Sequence, residues 1–271
     1  MGKAWVKSTS AALLLVCVPL SASTVIRFGI VPQQSATRVA EHWIPVSNFL
    51  SQQTGLDIRF TTKPSISQFD QELAKGRYDL VYMNPFQYIQ SHEHLGYQAI
   101  AKARDKKIRG IVVSHKDSGL DSLSDISGQR LAFPSPVAFA ASILSQGYLK
   151  QNEIDYTPVY VRSHDSVYHN VAKGVFIAGG GVMRTFNAMD KSITEQLTVV
   201  WESDGYTPHA IAVHPSMPQA TVLQIQQAFL NLEERAPELL TPLRLKGFTT
   251  AQDREWDDVR LLMADYESES Q

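Results

Sequence analysis

Ser163-His164-Asp165 carries the sharpest local chemistry in the sequence. A serine or aspartate at such a position can cap a helix through its side-chain oxygen, while His164 offers ring nitrogens to a bound oxyanion. The same tripeptide also serves as an ordinary helix start with a surface histidine, and local sequence leaves both readings open. Asn84-Pro85-Phe86 reads as a turn feeding a helix, with Asn84 and Tyr88 near its start. Phe86 and Tyr88 suit a packed core as well as a ligand. Gly179-Gly180-Gly181 lacks the G-x-x-x-x-G-K-[ST] and G-x-G-x-x-G spacings of nucleotide loops and is expected to be a tight turn. Metal ligation finds no support: His92 and His94 stand two apart and His164 and His169 five apart, so neither pair shares a helix face. H-E-x-x-H, C-x-x-C and G-x-S-x-G are all absent. No metal, cofactor or catalytic residue is therefore assigned.

These residues fall at the ends of strands in an alternating pattern. Val25 to Val31 is rich in β-branched residues and stops at Pro32, and apolar Val39, Trp43, Val46, Phe49 and Leu50 then recur at helical spacing up to Gly55, across a Pro45 expected to kink the helix. A strand over 56–61, a helix over 65–75 and a strand over 79–83 follow. The rhythm restarts with strands over 110–114, 129–133 and 157–161 and helices over 138–150 and 164–173. Strands over 198–202 and 209–213 then precede helices over 219–234 and 251–266. Such alternation predicts an α/β fold with mostly parallel sheets built from βαβ units. Two lobes are expected, residues 24–106 with 207–271 forming the first and 107–206 the second. The chain then crosses between them near 104–110 and 203–208, a pair of crossings that makes a hinge. In open sheets of this kind ligands meet the carboxyl ends of strands, where helix N-termini supply free amides and a positive dipole end. Ser135 lies at one such end.

The first 23 residues read as a cleavable secretory signal: Lys3 and Lys7, the apolar run Ala11 to Leu20, then Ser21-Ala22-Ser23. The run is far shorter than the roughly 20 residues of a membrane-spanning helix. Val16 before Cys17, where a lipidation site wants a small residue, disfavours acylation there. Cleavage removes two lysines and Cys17, the single cysteine of the 271 residues, leaving 23 basic against 27 acidic groups. Disulfides and thiolate chemistry are thereby excluded, and stability must come from core burial. The whole chain is 44% hydrophobic and 19% charged with a formal net charge of −2. That composition is globular, and it offers no basic field for nucleic acid.

Six segments in order resemble the periplasmic phosphonate/phosphite/phosphate-binding proteins of ABC transporters, a type II solute-binding family. They are Arg27-Phe28-Gly29-Ile30-Val31-Pro32, Gly76-Arg77-Tyr78-Asp79-Leu80-Val81, Asn84-Pro85-Phe86-Gln87-Tyr88, Asp117-Ser118-Gly119-Leu120 with Asp125-Ile126-Ser127-Gly128, Leu131-Ala132-Phe133, and Ser163-His164-Asp165-Ser166-Val167. The resemblance implies two α/β lobes joined by a two-strand hinge and closing on an anion, with Tyr88, His164 and Asp165 at positions where the family contacts ligand oxygens. Where the family has a Ser-Thr-Ser-Gly cradle, this chain has Ala138-Phe139-Ala140-Ala141, which leaves backbone amides to bind an anion there and argues against tight phosphonate recognition. Ile66 and Ile177 replace a family tyrosine and acid, which implies a more apolar pocket.

The combined expectation is a periplasmic receptor, not an enzyme and without cofactor, that takes a small oxyanion and hands it to an ABC permease. Asn84 and Tyr88 would serve one lobe, and Ser135, His164 and Asp165 the other. Alternatives are an input protein for a membrane sensor kinase and, last, an exported enzyme using His164 and Asp165. The partners expected are a small-molecule anion and a membrane protein, with no nucleic acid, and the chain is expected to act as a monomer.

Overall fold

The computed structural model describes residues 1–2, 25–120 and 122–268. The signal segment assigned above thus lies, from residue 3 onward, outside the described residues. Among the described residues no helix is long and apolar enough to cross a membrane.

Burial on both faces selects the opening strands. β1 (Ile26–Ile30) pairs in parallel with β2 (Ile58–Thr61) and β3 (Leu80–Met83), and every β3 side chain is buried. The helices between them begin and end on residues suited to the task. Ser35 accepts from the Arg38 amide to cap α1 (Ala36–Thr54), which continues through Pro45 and stops at Gly55 in the left-handed conformation, φ 71°. Ser65 caps α2 (Ile66–Leu73). Asn84 and Gln87 form a capping box at α3 (Pro85–Leu95), with Pro85 occupying the position where a missing N–H costs nothing. β4 (Gln98–Ala103) follows.

The chain then builds a second sheet from one continuous stretch. Its elements are β5 (Gly110–His115), β6 (Gln129–Phe133), a π-wound turn (Phe139–Leu144) running into α4 (Ser145–Gln151), β7 (Tyr156–Tyr160), α5 (His164–Ala172), β8 (Ala178–Val182), the short α6 (Met183–Phe186) and α7 (Lys191–Thr194), and β9 (Leu197–Glu202). Strand order is β7-β6-β8-β5-β9. After it, β10 (Ala210–Val213), α8 (Gln219–Leu230), α9 (Leu232–Arg235), β11 (Phe248–Thr250) and α10 (Asp257–Ser268) return to the first sheet, whose order is β11-β4-β10-β3-β1-β2. Both sheets are mixed, with β2-β1-β3 and β7-β6-β8 parallel and the other pairings antiparallel. Where the chain passes between sheets, Ile108 and Tyr206 exchange both backbone hydrogen bonds, 2.8 and 3.0 Å, so the two links run as a bridged pair.

Three strands depart from the sequence reading. β4 and β11 carry no run of β-branched residues and were legible only as gaps between helices. Gly179-Gly180-Gly181 is not a tight turn but the buried middle of β8, between β6 and β5. The reason is steric. A Cβ on Gly180 would lie 2.0 Å from the Ala141 carbonyl oxygen, and one on Gly110 of the neighbouring β5 would lie 2.2 Å from that of Ala140. On the opposite face, a Cβ on Gly179 would meet Val167, and one on Gly181 would meet Tyr168, both at 2.5 Å. A strand without side chains lets the π-wound turn and α5 sit against its backbone from both faces.

Gly180→Ala is therefore expected to cost about 3 kcal/mol or more, since the clash is with a carbonyl and not with a pliable side chain. Urea denaturation of the variant measures this, and a loss below about 1 kcal/mol would show that the π-wound turn can lift away from β8.

Candidate functional site

Four helix starts meet at one place. Ile66 opens α2, Asn84 caps α3, Ala138 precedes the π-wound turn and His164 opens α5, and all four line a cavity of about 10 Å³ between the two sheets. That volume admits one water at most, so the two lobes are closed on each other. Val31, Ile108, Phe139, Ala140, Ala141 and Val182 complete an apolar wall, and Gln33 and His209 add polar groups. No charged side chain lines it. The Ala138-Phe139-Ala140-Ala141 segment, where hydroxyls are absent, does present donors. Ala138 has no side-chain cap, and among the described residues the buried amides of Phe139, Ala140 and Ala141 find no acceptor. Unpaired helix-start amides beside a positive dipole end favour an anion.

His164 and His209 face this cavity from different lobes. His164 is 1% exposed, not the surface histidine that local sequence also allowed, and its Nδ1 shares a 3.0 Å hydrogen bond with the Thr185 hydroxyl. Tyr168 bonds the same hydroxyl at 2.9 Å, which fixes the ring's orientation. Burial, with a smaller push from the Arg184 charge, lowers the His164 pKa to about 3. Burial likewise drives His209 well below the ordinary histidine value, with Arg184 and His164 adding to the effect. Both rings are neutral, each with one donor and one acceptor nitrogen. The Thr185 hydroxyl also donates to the Val182 carbonyl at 3.0 Å, and Nε2 is the ring nitrogen of His164 left to face a ligand. Tyr82 stacks on His209 at 4.8 Å, and the His209 Nε2 has no hydrogen-bond partner.

The seam around the cavity is closed by polar contacts from one sheet to the other. The Asp165 Oδ2 accepts from the Ser35 amide at 2.9 Å, occupying the N-terminus of α1 with a carboxylate from the opposite lobe. Its Oδ1 is buried without a partner, and burial raises the carboxyl pKa. The His164 amide donates to the Gln33 carbonyl at 2.8 Å. Asn84 Nδ2 donates to the Val137 carbonyl at 3.0 Å, and the Ser135 and Ser67 hydroxyls share a bond of 3.1 Å. Arg184, on α6, donates to the Gln33 side chain and, at 3.3 Å, to the Leu243 carbonyl.

Of the residues singled out by sequence, the structure brings Asn84 and His164 to the cavity and Ser135 and Asp165 to the seam beside it. Tyr88 is elsewhere. It is fully buried, its hydroxyl donates to Asp253 at 3.0 Å, and its ring lies 4.5 Å from Trp256, tying α3 to the C-terminal segment. Ile66 lines the cavity, whereas Ile177 packs in the core of the second lobe. Sequence reasoning missed Gln33, Arg184 and His209 as site groups. Gln33 directly follows Pro32 at the end of the first strand, and His209 opens the strand expected over 209–213 immediately after the return link; those positions are the signals that could have found them.

Comparison with known proteins gives a consistent picture. The family model for the periplasmic substrate-binding protein of phosphonate ABC transporters matches residues 28–256. A binding protein component of an ABC phosphonate transporter from Pseudomonas aeruginosa superposes with a TM-score of 0.83 at 17% identity, covering 90% of this chain and 87% of that one. A Prochlorococcus marinus protein in complex with methylphosphonate also gives 0.83, at 16% identity over 90% and 98% of the two chains. At these identities the likeness is one of fold. The tetrathionate sensor histidine kinase of Salmonella typhimurium is 24% identical over 156 residues, covering 55% of this chain and 26% of the kinase. This chain thus aligns with about a quarter of the length of that curated relative.

The two neutral histidines set a pH dependence. An unfolded histidine titrates near 6.5, whereas His164 holds off its proton to about 3 and His209 is also depressed. Their contribution is complete above about pH 6.5 and is lost as pH falls toward 3, at up to about 1.4 kcal/mol per pH unit for each ring. His164→Gln is expected to flatten the fall of Tm between pH 6.5 and 4 relative to the parent, and an unchanged slope would mean that the ring is protonated in the fold.

Proposed function

This chain belongs to the family of periplasmic substrate-binding proteins of phosphonate ABC transporters, and from that premise we propose that it captures a small oxyanion between its lobes and delivers it to a membrane permease. The ligand class is phosphonate- or phosphate-like, or a sulfur oxyanion. The observation that carries this reading is the trio of unpaired, buried amides at Phe139, Ala140 and Ala141, facing the same cavity as the neutral ring of His164. Donors without a formal charge suit an anion that must also be released, because a buried cation would hold it far more tightly. The closed cavity is too small for such a ligand, so binding requires the lobes to part about the Ile108–Tyr206 bridge and settle again around it. Asn84, Ser135 and Asp165 act as the latch: their contacts across the seam exist only when the lobes are together.

Capture proceeds without bond-making. His164 bonds Thr185 and Asp165 bonds the Ser35 amide, so the two do not form an acid–base pair. One copy supplies both walls of the cleft, so a monomer suffices. Residues 1–23 act as the export signal and are then removed. The similarity to the tetrathionate sensor kinase favours a second reading, in which the closed form signals to a membrane kinase.

Calorimetry with phosphate, phosphite, methylphosphonate, sulfonates and tetrathionate tests the site. One of them, at about 100 times its Kd, should stabilise the protein by about 2.7 kcal/mol. His164→Gln should weaken it roughly tenfold or more, and Asp165→Ala, which removes a latch contact, about tenfold. If no oxyanion of the panel shifts the Tm, or if His164→Gln binds as well as the parent, the cleft is not the anion site. Stimulation of permease ATPase activity, as against kinase autophosphorylation, separates the two readings.

A further inference from the structure

Behind the cleft, on the side of the two inter-sheet links, lies a much larger cavity of about 440 Å³. Its wall carries five cations, Lys106, Lys107, Arg109, Arg184 and Arg244, and no carboxylate. Internal neutralisation is incomplete. Lys107 reaches Asp258 at 3.4 Å and Arg109 reaches Glu202 at 3.5 Å, whereas Lys106, Arg184 and Arg244 form no ion pair among the described residues. Arg184 uses two of its five N–H donors on the Gln33 side chain and the Leu243 carbonyl, which leaves three. Arg244 is held with φ at 56°, a left-handed conformation that a non-glycine residue adopts only when its surroundings enforce it. His209 lines this cavity as well as the cleft, is 3% exposed, and has an Nε2 with no partner.

We propose that this hinge-side cavity is a second anion site, one that takes a small molecule bearing two or more negative charges. Three unpaired cations spread over the second lobe (Arg184), the outgoing link (Lys106) and the returning C-terminal segment of the first lobe (Arg244) match separated charges better than a single one. The volume lies in the range of small-molecule sites. A ligand that touches Arg184 and Arg244 together bridges the lobes, so its occupancy favours the closed arrangement. The proposal does not depend on the cleft reading, because the two cavities share only Ile108, Val182 and His209.

Inorganic pyrophosphate is the probe. Titration calorimetry at about 0.15 M salt is expected to give one saturable site, with affinity falling as salt rises. The double variant Lys106→Gln/Arg244→Gln, at two exposed positions, should lose at least tenfold in pyrophosphate affinity, while His164→Gln should keep it. Equal affinity in the double variant, loss confined to His164→Gln, or weak binding without a defined stoichiometry would each overturn the proposal. The oxyanion panel, read on His164→Gln, reports on the cleft separately.

Discussion

Backbone amides that find no acceptor inside the fold govern the rest of this molecule. Burying an N–H without a partner costs about 1–3 kcal/mol, and the start of the π-wound turn holds three in succession. A protein can tolerate such a debt at a place where something else will supply the oxygen. The surroundings are consistent with that. The walls are largely apolar and the polar side chains among them, Gln33, Asn84, His164 and His209, carry no negative charge, so no carboxylate competes for the donors. The amides sit at the seam because the glycines of β8 let the π-wound turn and α5 pack against its backbone.

The other helix starts along the seam, those of α1, α3 and α5, are met by the protein's own groups. Asp165 caps α1 from across the seam, Asn84 caps its own helix and reaches Val137, and the Gln33 carbonyl accepts from the His164 amide. Each of these contacts joins or abuts the opposite lobe. Closure is thereby made of many directional bonds of modest strength, which break readily one by one and give a unique register when all are formed.

Most of the architecture was legible because β-branched runs, amphipathic stretches and serine or asparagine caps coincide along the chain, from Ile26 to the start of α3 and again from Gly110 to α5. What escaped had a physical cause. β8 reads as a turn, since glycine's freedom is the dominant local signal, and only the tertiary proximity of Ala141, Val167 and Tyr168 reveals why side chains are forbidden there. Asn84 and His164 could be placed near the cavity because caps mark helix starts. Tyr88 lies four residues beyond Asn84 along α3, a position that turns its ring toward Trp256 and Asp253. Arg184 and His209 gave no motif, because their position depends on how one sheet docks against the other.

The first sheet has a peculiarity of assembly. β10 lies between β3 and β4 and is hydrogen-bonded to both, yet it is made about 107 residues after β4, as the interval from Ala103 to Ala210 shows. Until it arrives, β3 and β4 each present a bare inner edge, open to pairing with another chain. The second sheet is drawn from one uninterrupted stretch and can close first. The nascent chain is thus vulnerable for a defined interval, which ends only when the insertion of a four-residue strand zips the two halves of its partner sheet together.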